Sequence, residues 1–193
     1  MTRLADITVP EEVRARACAG DDAARQAIYA AVAPATFALV RRMIGYRAAS
    51  EDVFQDTMMI FYERLADFRQ EAPLGAWLRQ IAISRCLMHL RSPWRRVRAC
   101  LEGQGPDATP PGAALVSPAL PPETLDVERA LATLAPTARA VVWMYEVEGY
   151  SHAEIARAFG RSVSFSKSQL ARAHLRLRAW FEPEGSRPTC ILS

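Results

Sequence analysis

A proline- and glycine-rich segment divides this 193-residue chain into two parts. Residues 103–122 hold six of the thirteen prolines and three of the nine glycines. Proline lacks the amide hydrogen that helices and sheets need, and glycine favours the unfolded chain, so neither element is expected here. We therefore predict an N-terminal domain over residues 10–100, a linker over 101–122, a C-terminal domain over 123–182 and a tail over 183–193.

The N-terminal part carries helical signals and lacks the alternating pattern of a strand. Pro10 precedes two acids at a predicted helix start, and a long helix is expected over residues 21–45. Ser50 is predicted to cap the next helix, and Pro73 is predicted to open another that ends before Ser92. The pattern predicts an all-α bundle.

The C-terminal part has the sequence form of a helix-turn-helix. Two helices are expected over residues 123–149. Ser151 and Glu154 form a capping box at the start of a short helix that ends at Gly160. A longer basic helix over residues 162–181 follows, with Ser162 as its cap. The fold class predicted for the whole chain is therefore all-α, with two helical domains.

The formal net charge of +3 conceals strongly charged blocks. Residues 50–71 carry −4 and residues 72–101 carry +6, while residues 123–150 carry −3 and residues 151–182 carry +4. Basic blocks of this size favour a polyanionic partner, and acidic ones favour a basic protein partner.

Several function classes find no support in the sequence. The four cysteines, at positions 18, 86, 100 and 190, form no CxxC motif, so neither a zinc site nor a disulfide framework is expected. No uninterrupted apolar run approaches about 18 residues, and the N-terminus lacks a signal-peptide pattern, so we expect a cytoplasmic protein without membrane insertion. No nucleophile motif or phosphate-binding loop is present, so we expect no enzyme activity, cofactor, metal or small-molecule substrate.

The second helix of the helix-turn-helix has the side chains that DNA recognition requires. Gln and Lys or Arg read base edges in the major groove, and Ser and Arg hold phosphates. Such residues lie mostly away from the predicted apolar face of Val163, Leu170, Ala173 and Leu177. A helix-turn-helix regulator that binds duplex DNA by itself, as a dimer, would account for this half of the chain but would leave the charge blocks of the other half unused.

Three segments, residues 50–57 (SEDVFQDT), residues 68–78 (FRQEAPLGAWL) and residues 148–178, together resemble one known family, the extracytoplasmic-function (ECF) group of sigma-70 RNA polymerase sigma factors. The run 148–178 resembles region 4.2, whose usual form is EG-S-AEIA-(x)-G-S-V-(x)-KSRL-RAR-LR. Residues 50–57 resemble the AEDLVQDTF of region 2.2. Residues 68–78 resemble the FRGEAPFRAWL that enters regions 2.3 and 2.4. The three segments occur in the family's order, with the linker between the second and the third.

The resemblance implies a set of partners and contact residues. Core RNA polymerase would contact Asp52, Gln55 and Asp56. The −10 promoter element would be read and melted by Phe68, Arg69, Arg79, Ser84, Arg85, Arg91, Arg95 and Arg96. The −35 element of promoter DNA would be read by Ser162, Ser164, Phe165, Ser166, Lys167, Gln169, Arg172 and Arg176. An anti-sigma factor is a further expected partner.

Several positions depart from the family pattern. Ser84 stands where Asn is usual, and Met88 where Asp is usual. Phe165 and Ser166 replace a common Thr-Val pair, and Gln169 replaces Arg. These positions lie at or near the base-reading residues, so the promoter sequence is expected to differ from the one that the family most often reads.

Overall fold

The computed structural model of the chain describes residues 3–45, 47–92 and 122–181. The described residues belong to two compact units, residues 3–92 and residues 122–181, each of which is considered by itself. Helices connected by short turns make up both units, and no strand occurs in the described ranges. The predicted all-α class is therefore confirmed.

Four α-helices build the first unit, and their ends follow the local sequence signals in most places. They are α1 (Glu11–Cys18), α2 (Asp22–Ile44), α3 (Arg47–Glu63) and α4 (Leu74–Arg91), with single 3-10 turns at Leu4–Asp6 and Leu65–Asp67. Pro10 and Pro73 precede α1 and α4, as predicted. The Asp21 carboxylate accepts a hydrogen bond from the amide of Ala24 and so caps α2, which ends at Gly45 in the left-handed conformation.

The predicted start of α3 is wrong. The helix begins at Arg47, so Ser50 lies within its first turn and is buried instead of capping the helix end. Residues 47–49 have the sequence Arg-Ala-Ala. Arginine and alanine rank among the strongest helix formers, so they extend the helix beyond the residue that resembles a cap.

Helix α2 forms the centre of the first unit. Ile28, Val32, Val40 and Met43 are fully buried, and the helix packs against α1, α3 and α4. Its length and mean hydropathy would also suit a membrane span, a test that core helices of folded domains pass as well. The burial of its apolar side chains within the bundle identifies α2 as such a core helix.

The N-terminal segment closes over the start of α4 at a position where only glycine fits. The Gly75 amide donates to the carbonyl of Ile7 at 2.9 Å. A Cβ atom added at Gly75 would lie 1.8 Å from the carbonyl oxygen of Leu4, a backbone atom that cannot rotate away. The absence of a side chain at Gly75 therefore permits the contact between this segment and α4.

The substitution Gly75→Ala tests this contact. Because the new methyl group overlaps the backbone of Leu4, we expect the first unit to lose about 1–3 kcal/mol of unfolding free energy. The exposed residue Gln80 on the same helix provides the control, since Gln80→Ala creates no overlap. Urea denaturation followed by circular dichroism measures both variants, and equal midpoints would contradict the close approach.

The second unit contains four α-helices and one π-helical turn. They are α5 (Pro122–Ala132), α6 (Pro136–Val142), the π turn Trp143–Val147 that continues α6, α7 (His152–Phe159) and α8 (Val163–Phe181). The predicted helix up to Gly149 is therefore interrupted at Val142, where the hydrogen-bonding pattern changes. Helix α8 packs against both α6 and α7.

A buried arginine joins α5 to α6. Arg139 is 3% exposed. Its guanidinium donates hydrogen bonds to the carbonyls of Leu131 at 2.8 Å, Ala132 at 3.1 Å and Leu134 at 3.2 Å. The last carbonyls of a helix have no partner within it, and a guanidinium with five N–H donors can satisfy several of them together. Arg139 thus stabilises the end of α5.

Candidate nucleic-acid and protein interfaces

The residues predicted to contact polymerase lie together on one exposed face of α3. Asp52, Gln55 and Asp56 are all exposed, and helix positions three and four residues apart are neighbours on the surface. Val53 and Thr57, on the other side of the helix, are buried in the unit. The buried side therefore fixes the orientation of the exposed one. Asp52, Gln55 and Asp56 form this exposed side, the α3 face.

An ion pair connects the α3 face to α4. Nη2 of Arg85 donates to Oδ2 of Asp56 at 2.8 Å, with 25% of the arginine and 55% of the aspartate side chain exposed. A partly exposed pair of this kind contributes little stability, because water screens the charges. Arg85, predicted to contact DNA, is thus bound in this structure to a residue predicted to contact polymerase.

An exposed methionine extends the α3 face, and the sequence analysis missed it. Met59 is 62% exposed and lies one turn after Asp56. Its spacing from Asp52 and Asp56, seven and three residues, is the signal that could have identified it. The face therefore combines two carboxylates and an amide with one large apolar side chain.

The predicted −10 residues of α4 occupy more than one side of the helix. Ser84 and Arg91 are exposed and share a face with Gln80 and Met88, which are also exposed. Arg79 is half-buried, and its position five residues before Ser84 places it on another side of the helix. Arg95 and Arg96, which were also predicted to contact the −10 element, lie outside the described residues.

The loop before α4 presents one exposed and one half-buried candidate. Arg69 is exposed. Phe68 is half-buried, and its ring centroid lies 5.4 Å from that of Trp77, which in turn lies 5.7 Å from that of the buried Phe61. Trp77 thus belongs to an aromatic cluster of the core, and Phe68 covers the outer side of that cluster.

The helix-turn-helix has the local geometry that the sequence predicted. The Ser151 side chain accepts from the Glu154 amide, and the Glu154 carboxylate accepts from the Ser151 amide. The hydrogen bonds that the Ser151 amide and hydroxyl donate to this carboxylate lower the pKa of Glu154, so the charged form that completes the capping box persists at neutral pH and is lost only in acid. Gly160 ends α7 with φ +62°, and the Ser162 hydroxyl accepts from the Phe165 amide at 3.3 Å.

Most of the predicted −35 residues of α8 face solvent. Ser162, Ser164, Lys167, Arg172 and Arg176 are exposed. The other members of the set are less accessible: Gln169 and Phe165 are half-buried, and Phe165 packs against Phe159 with a centroid distance of 5.7 Å. The prediction that Val163 is buried is wrong, since 42% of it is exposed.

Ser166 lies inside the second unit and not at its surface. Its side chain is completely buried, and its Oγ atom is 3.0 Å from Nδ1 of His152. The His152 ring stacks on Tyr145 with a centroid distance of 4.5 Å. Because its side chain is buried and hydrogen-bonded to His152, Ser166 occupies a core position of the second unit. A buried hydroxyl does not reach a DNA surface, so the predicted −35 contact at Ser166 is not supported.

The described cysteines give little sign of redox or metal chemistry. Burial raises the pKa of the Cys86 thiol to about 12, so it remains protonated at neutral pH. Within residues 3–45, 47–92 and 122–181, no group of three or more His, Cys, Asp or Glu side chains is arranged to hold a metal ion. Cys100 and Cys190 lie outside the described residues.

The geometry of the second unit is that of a helix-turn-helix protein, and comparison with known proteins identifies its family. The sigma-70 region 2 family model matches residues 28–96, and the sigma-70 region 4 model matches residues 124–177. Together the two ranges cover well over half of the chain. The chain therefore belongs to the sigma-70 family of RNA polymerase sigma factors, in its ECF group.

Individual relatives agree with this assignment. The chain is 34% identical over 128 residues to the ECF RNA polymerase sigma factor SigM of Mycobacterium tuberculosis. The aligned region covers 66% of this chain and 62% of SigM. It is 29% identical over 147 residues to the RNA polymerase sigma factor CnrH of Cupriavidus metallidurans, covering 71% and 75% of the two chains. A similar fold occurs in the structure of the sigma factor RpoE of Bartonella quintana in complex with the anti-sigma factor NepR. The TM-score is 0.54 at 21% sequence identity, and the match covers 82% of this chain and 97% of RpoE.

The contrast between Ser166 and Ser164 leads to a prediction. Because Ser166 is buried and bonded to His152, Ser166→Ala should lower the unfolding free energy of the second unit by about 1 kcal/mol. Ser164 is exposed on the same helix, so Ser164→Ala should leave stability unchanged. Thermal denaturation of both variants measures the difference, and a Ser164→Ala variant that is the less stable of the two would contradict this placement.

Proposed function

We propose that this chain is a sigma factor that binds core RNA polymerase and directs promoter-specific transcription initiation. The observation that carries the proposal is the occurrence of both sigma-70 regions, 2 and 4, in order in one chain. A stand-alone helix-turn-helix regulator would need only the second of them. The matched chain spans 62% of the length of SigM, so the partners and the reaction steps below are part of the proposal.

The α3 face is the proposed docking site for polymerase. Asp52 and Asp56 provide negative charge on a rigid helix, and Gln55 lies between them as a hydrogen-bonding group. Carboxylates arranged on a fixed surface favour a basic protein partner and increase the rate at which it associates. Met59 adds apolar area at the end of the same face.

The loop before α4 and the exposed side of α4 form the proposed −10 surface. Separating two DNA strands requires basic groups that hold the backbone and an aromatic or apolar surface for an unstacked base. Arg69 and Arg91 are the exposed basic groups, and Phe68 provides the aromatic surface beside Arg69. Binding free energy drives this opening, so no cofactor or metal is part of the proposal.

The first half of α8 is the proposed −35 reading surface. Ser162 and Ser164 lie at the helix N-terminus, where backbone amides and the helix dipole favour a phosphate group. Lys167 and Gln169 have the side chains for base edges. Arg172 and, one turn further along α8, the exposed Arg176 have the side chains for the DNA backbone. Helix α7 holds α8 in position through the packing between them.

The proposed setting is the bacterial cytoplasm, where sigma factors meet polymerase and DNA. An anti-sigma factor is a further proposed partner, because the structural relative RpoE was solved with its anti-sigma factor NepR. The docking and DNA-reading surfaces of the two units are the surfaces that such a partner would need to cover to block initiation.

Reversing the charge at Asp56 tests polymerase docking. In the full chain, Asp56→Arg should weaken binding to core polymerase about 100-fold, because it places a like charge against a basic partner. Binding of the same variant to duplex −35 DNA should be unchanged, since that surface lies in the second unit. Fluorescence anisotropy with labelled chain measures both affinities.

The Asp56–Arg85 ion pair requires its own control. The double variant Asp56→Arg/Arg85→Asp restores an ion pair between α3 and α4 but not the charge of the α3 face. Polymerase binding should therefore remain weak in the double variant. Recovery of polymerase binding there would show that Asp56 acts only within the first unit and would contradict its role as a docking residue. Asp22→Arg, at an exposed acid on α2, should leave binding intact.

Salt dependence separates phosphate contacts from base contacts on α8. Arg176→Ala should reduce the slope of log affinity against log salt concentration by about 1, since one phosphate contact is lost. Gln169→Ala should leave that slope unchanged and reduce discrimination between −35 sequences. Titrations of promoter duplex at several salt concentrations measure both, and identical slopes for all three proteins would argue against Arg176 as a phosphate contact.

A further inference from the structure

The loop between Leu65 and α4 contains an unusual backbone conformation. Gln70 has φ +58°, and it is the one non-glycine residue with positive φ among those that the structure describes. Side chains with a Cβ atom are disfavoured in this left-handed region, where glycine is not. Gln70 therefore adopts a conformation that a glycine would take freely.

A side chain from α1 holds Gln70 in this conformation. Nε2 of Gln70 donates a hydrogen bond to Oε2 of Glu11, a residue 59 positions earlier in the chain. Glu11 is itself fixed, because Nε of Arg14 donates to the same oxygen at 2.8 Å and a second guanidinium nitrogen of Arg14 contacts the other carboxylate oxygen. This pairing with Arg14 lowers the pKa of Glu11, so the carboxylate remains charged at neutral pH.

Helix α1 also holds the beginning of the same loop. Nη1 of Arg14 donates to the carbonyl oxygen of Leu65 at 3.4 Å. The two contacts of α1, at Leu65 and at Gln70, therefore flank Phe68 and Arg69. Between these two contacts, Phe68 packs against Trp77 of α4. The loop is thus held from α1 at Leu65 and at Gln70, and from α4 at Phe68.

We propose that α1 is a clamp, which holds residues 68–72 in the conformation that binds the separated −10 strand. Glu11 and Arg14 are positioning residues that act through Gln70 and Leu65, respectively. The inference rests on the proposed function of the loop. A loop that already has its binding conformation loses less conformational entropy when DNA binds, so its affinity for the strand is higher. Without Glu11, the hydrogen bond that holds the unfavourable backbone of Gln70 is lost, so the loop leaves this conformation more often.

Four variants of the full chain test the clamp. Glu11→Ala removes the partner of Gln70, and Glu12→Ala removes the neighbouring exposed charge from the same turn of α1. Gln70→Gly places in the loop a residue that accepts φ +58° unaided. The double variant Glu11→Ala/Gln70→Gly combines the lost partner with the relaxed backbone.

The first readout is the conformation of the loop itself, which does not depend on DNA. Amide hydrogen exchange in the peptide covering residues 65–73 should be faster in Glu11→Ala than in the unaltered chain, because the loop opens more often. Glu12→Ala should exchange at the unaltered rate. The double variant should return towards that rate. Equal exchange in Glu11→Ala and Glu12→Ala would overturn the clamp, whatever the chain does with DNA.

The second readout is the affinity of the assembled holoenzyme for fork-junction DNA that has a single-stranded −10 element. The sequence of this DNA is taken from a promoter that transcript start-site sequencing identifies. Glu11→Ala should weaken this affinity about tenfold. Glu12→Ala and the double variant should remain within about twofold of the unaltered chain. Far-UV circular dichroism during urea denaturation verifies that the first unit of each variant is folded. Binding to duplex −35 DNA should be the same in all variants, which verifies that the second unit is folded.

The outcomes separate the clamp from the proposed function. If the unaltered chain forms no complex with polymerase and fork DNA, the proposed function fails, while the exchange experiment still decides the clamp. If the unaltered chain binds and Glu11→Ala binds equally well, the clamp has no role in strand capture and the proposal is wrong. A double variant as weak as Glu11→Ala would show that Glu11 does not act through the backbone of Gln70, which also overturns it.

Discussion

The packing of α3 against α4 is the constraint on which the proposed activity of the first unit depends. Asp56 pairs with Arg85 while Phe61, later in α3, contacts Trp77, earlier in α4, so the two helices run antiparallel. Buried side chains between them fix which face each helix turns to solvent. The proposed docking surface for polymerase and the proposed −10 surface therefore lie side by side on the same two packed helices, and the Asp56–Arg85 pair lies at their boundary. The formal net charge is only +3 because the charges of acidic and basic surfaces of this kind largely cancel.

Features that depend on local chemistry were predictable from the sequence. The capping box at Ser151, the left-handed Gly160 and the cap at Ser162 each involve residues a few positions apart, and all three occur as predicted. The apolar period likewise predicted helices throughout, because a 3.6-residue repeat is specific to a buried helix face. The family resemblance, and not a local signal, singled out Asp52, Gln55 and Asp56, and their helical spacing explains why they share one exposed face of α3.

Features that depend on distant residues could not be predicted in this way. Ser166 resembles a polar surface residue in sequence, and only the approach of His152 from α7 reveals it as a buried hydrogen-bonded position. The contact between Glu11 and Gln70 joins residues 59 positions apart, and no local pattern marks either of them. Arg139 is a similar case, because its burial depends on the carbonyls at the end of α5. At Ser50 two local signals competed, and the helix propensity of the preceding residues outweighed the capping signal.

The central claim is that this chain gives core RNA polymerase the ability to open a particular promoter. Permanganate reactivity of thymines in promoter DNA tests it most directly, because the reagent oxidises unstacked thymines and spares those in a duplex. With core polymerase and this chain together, we expect reactive thymines in a short stretch that begins in the −10 element, and none with either protein alone. A promoter that stays unreactive while both proteins are bound to it, or that opens with this chain alone, would contradict the account.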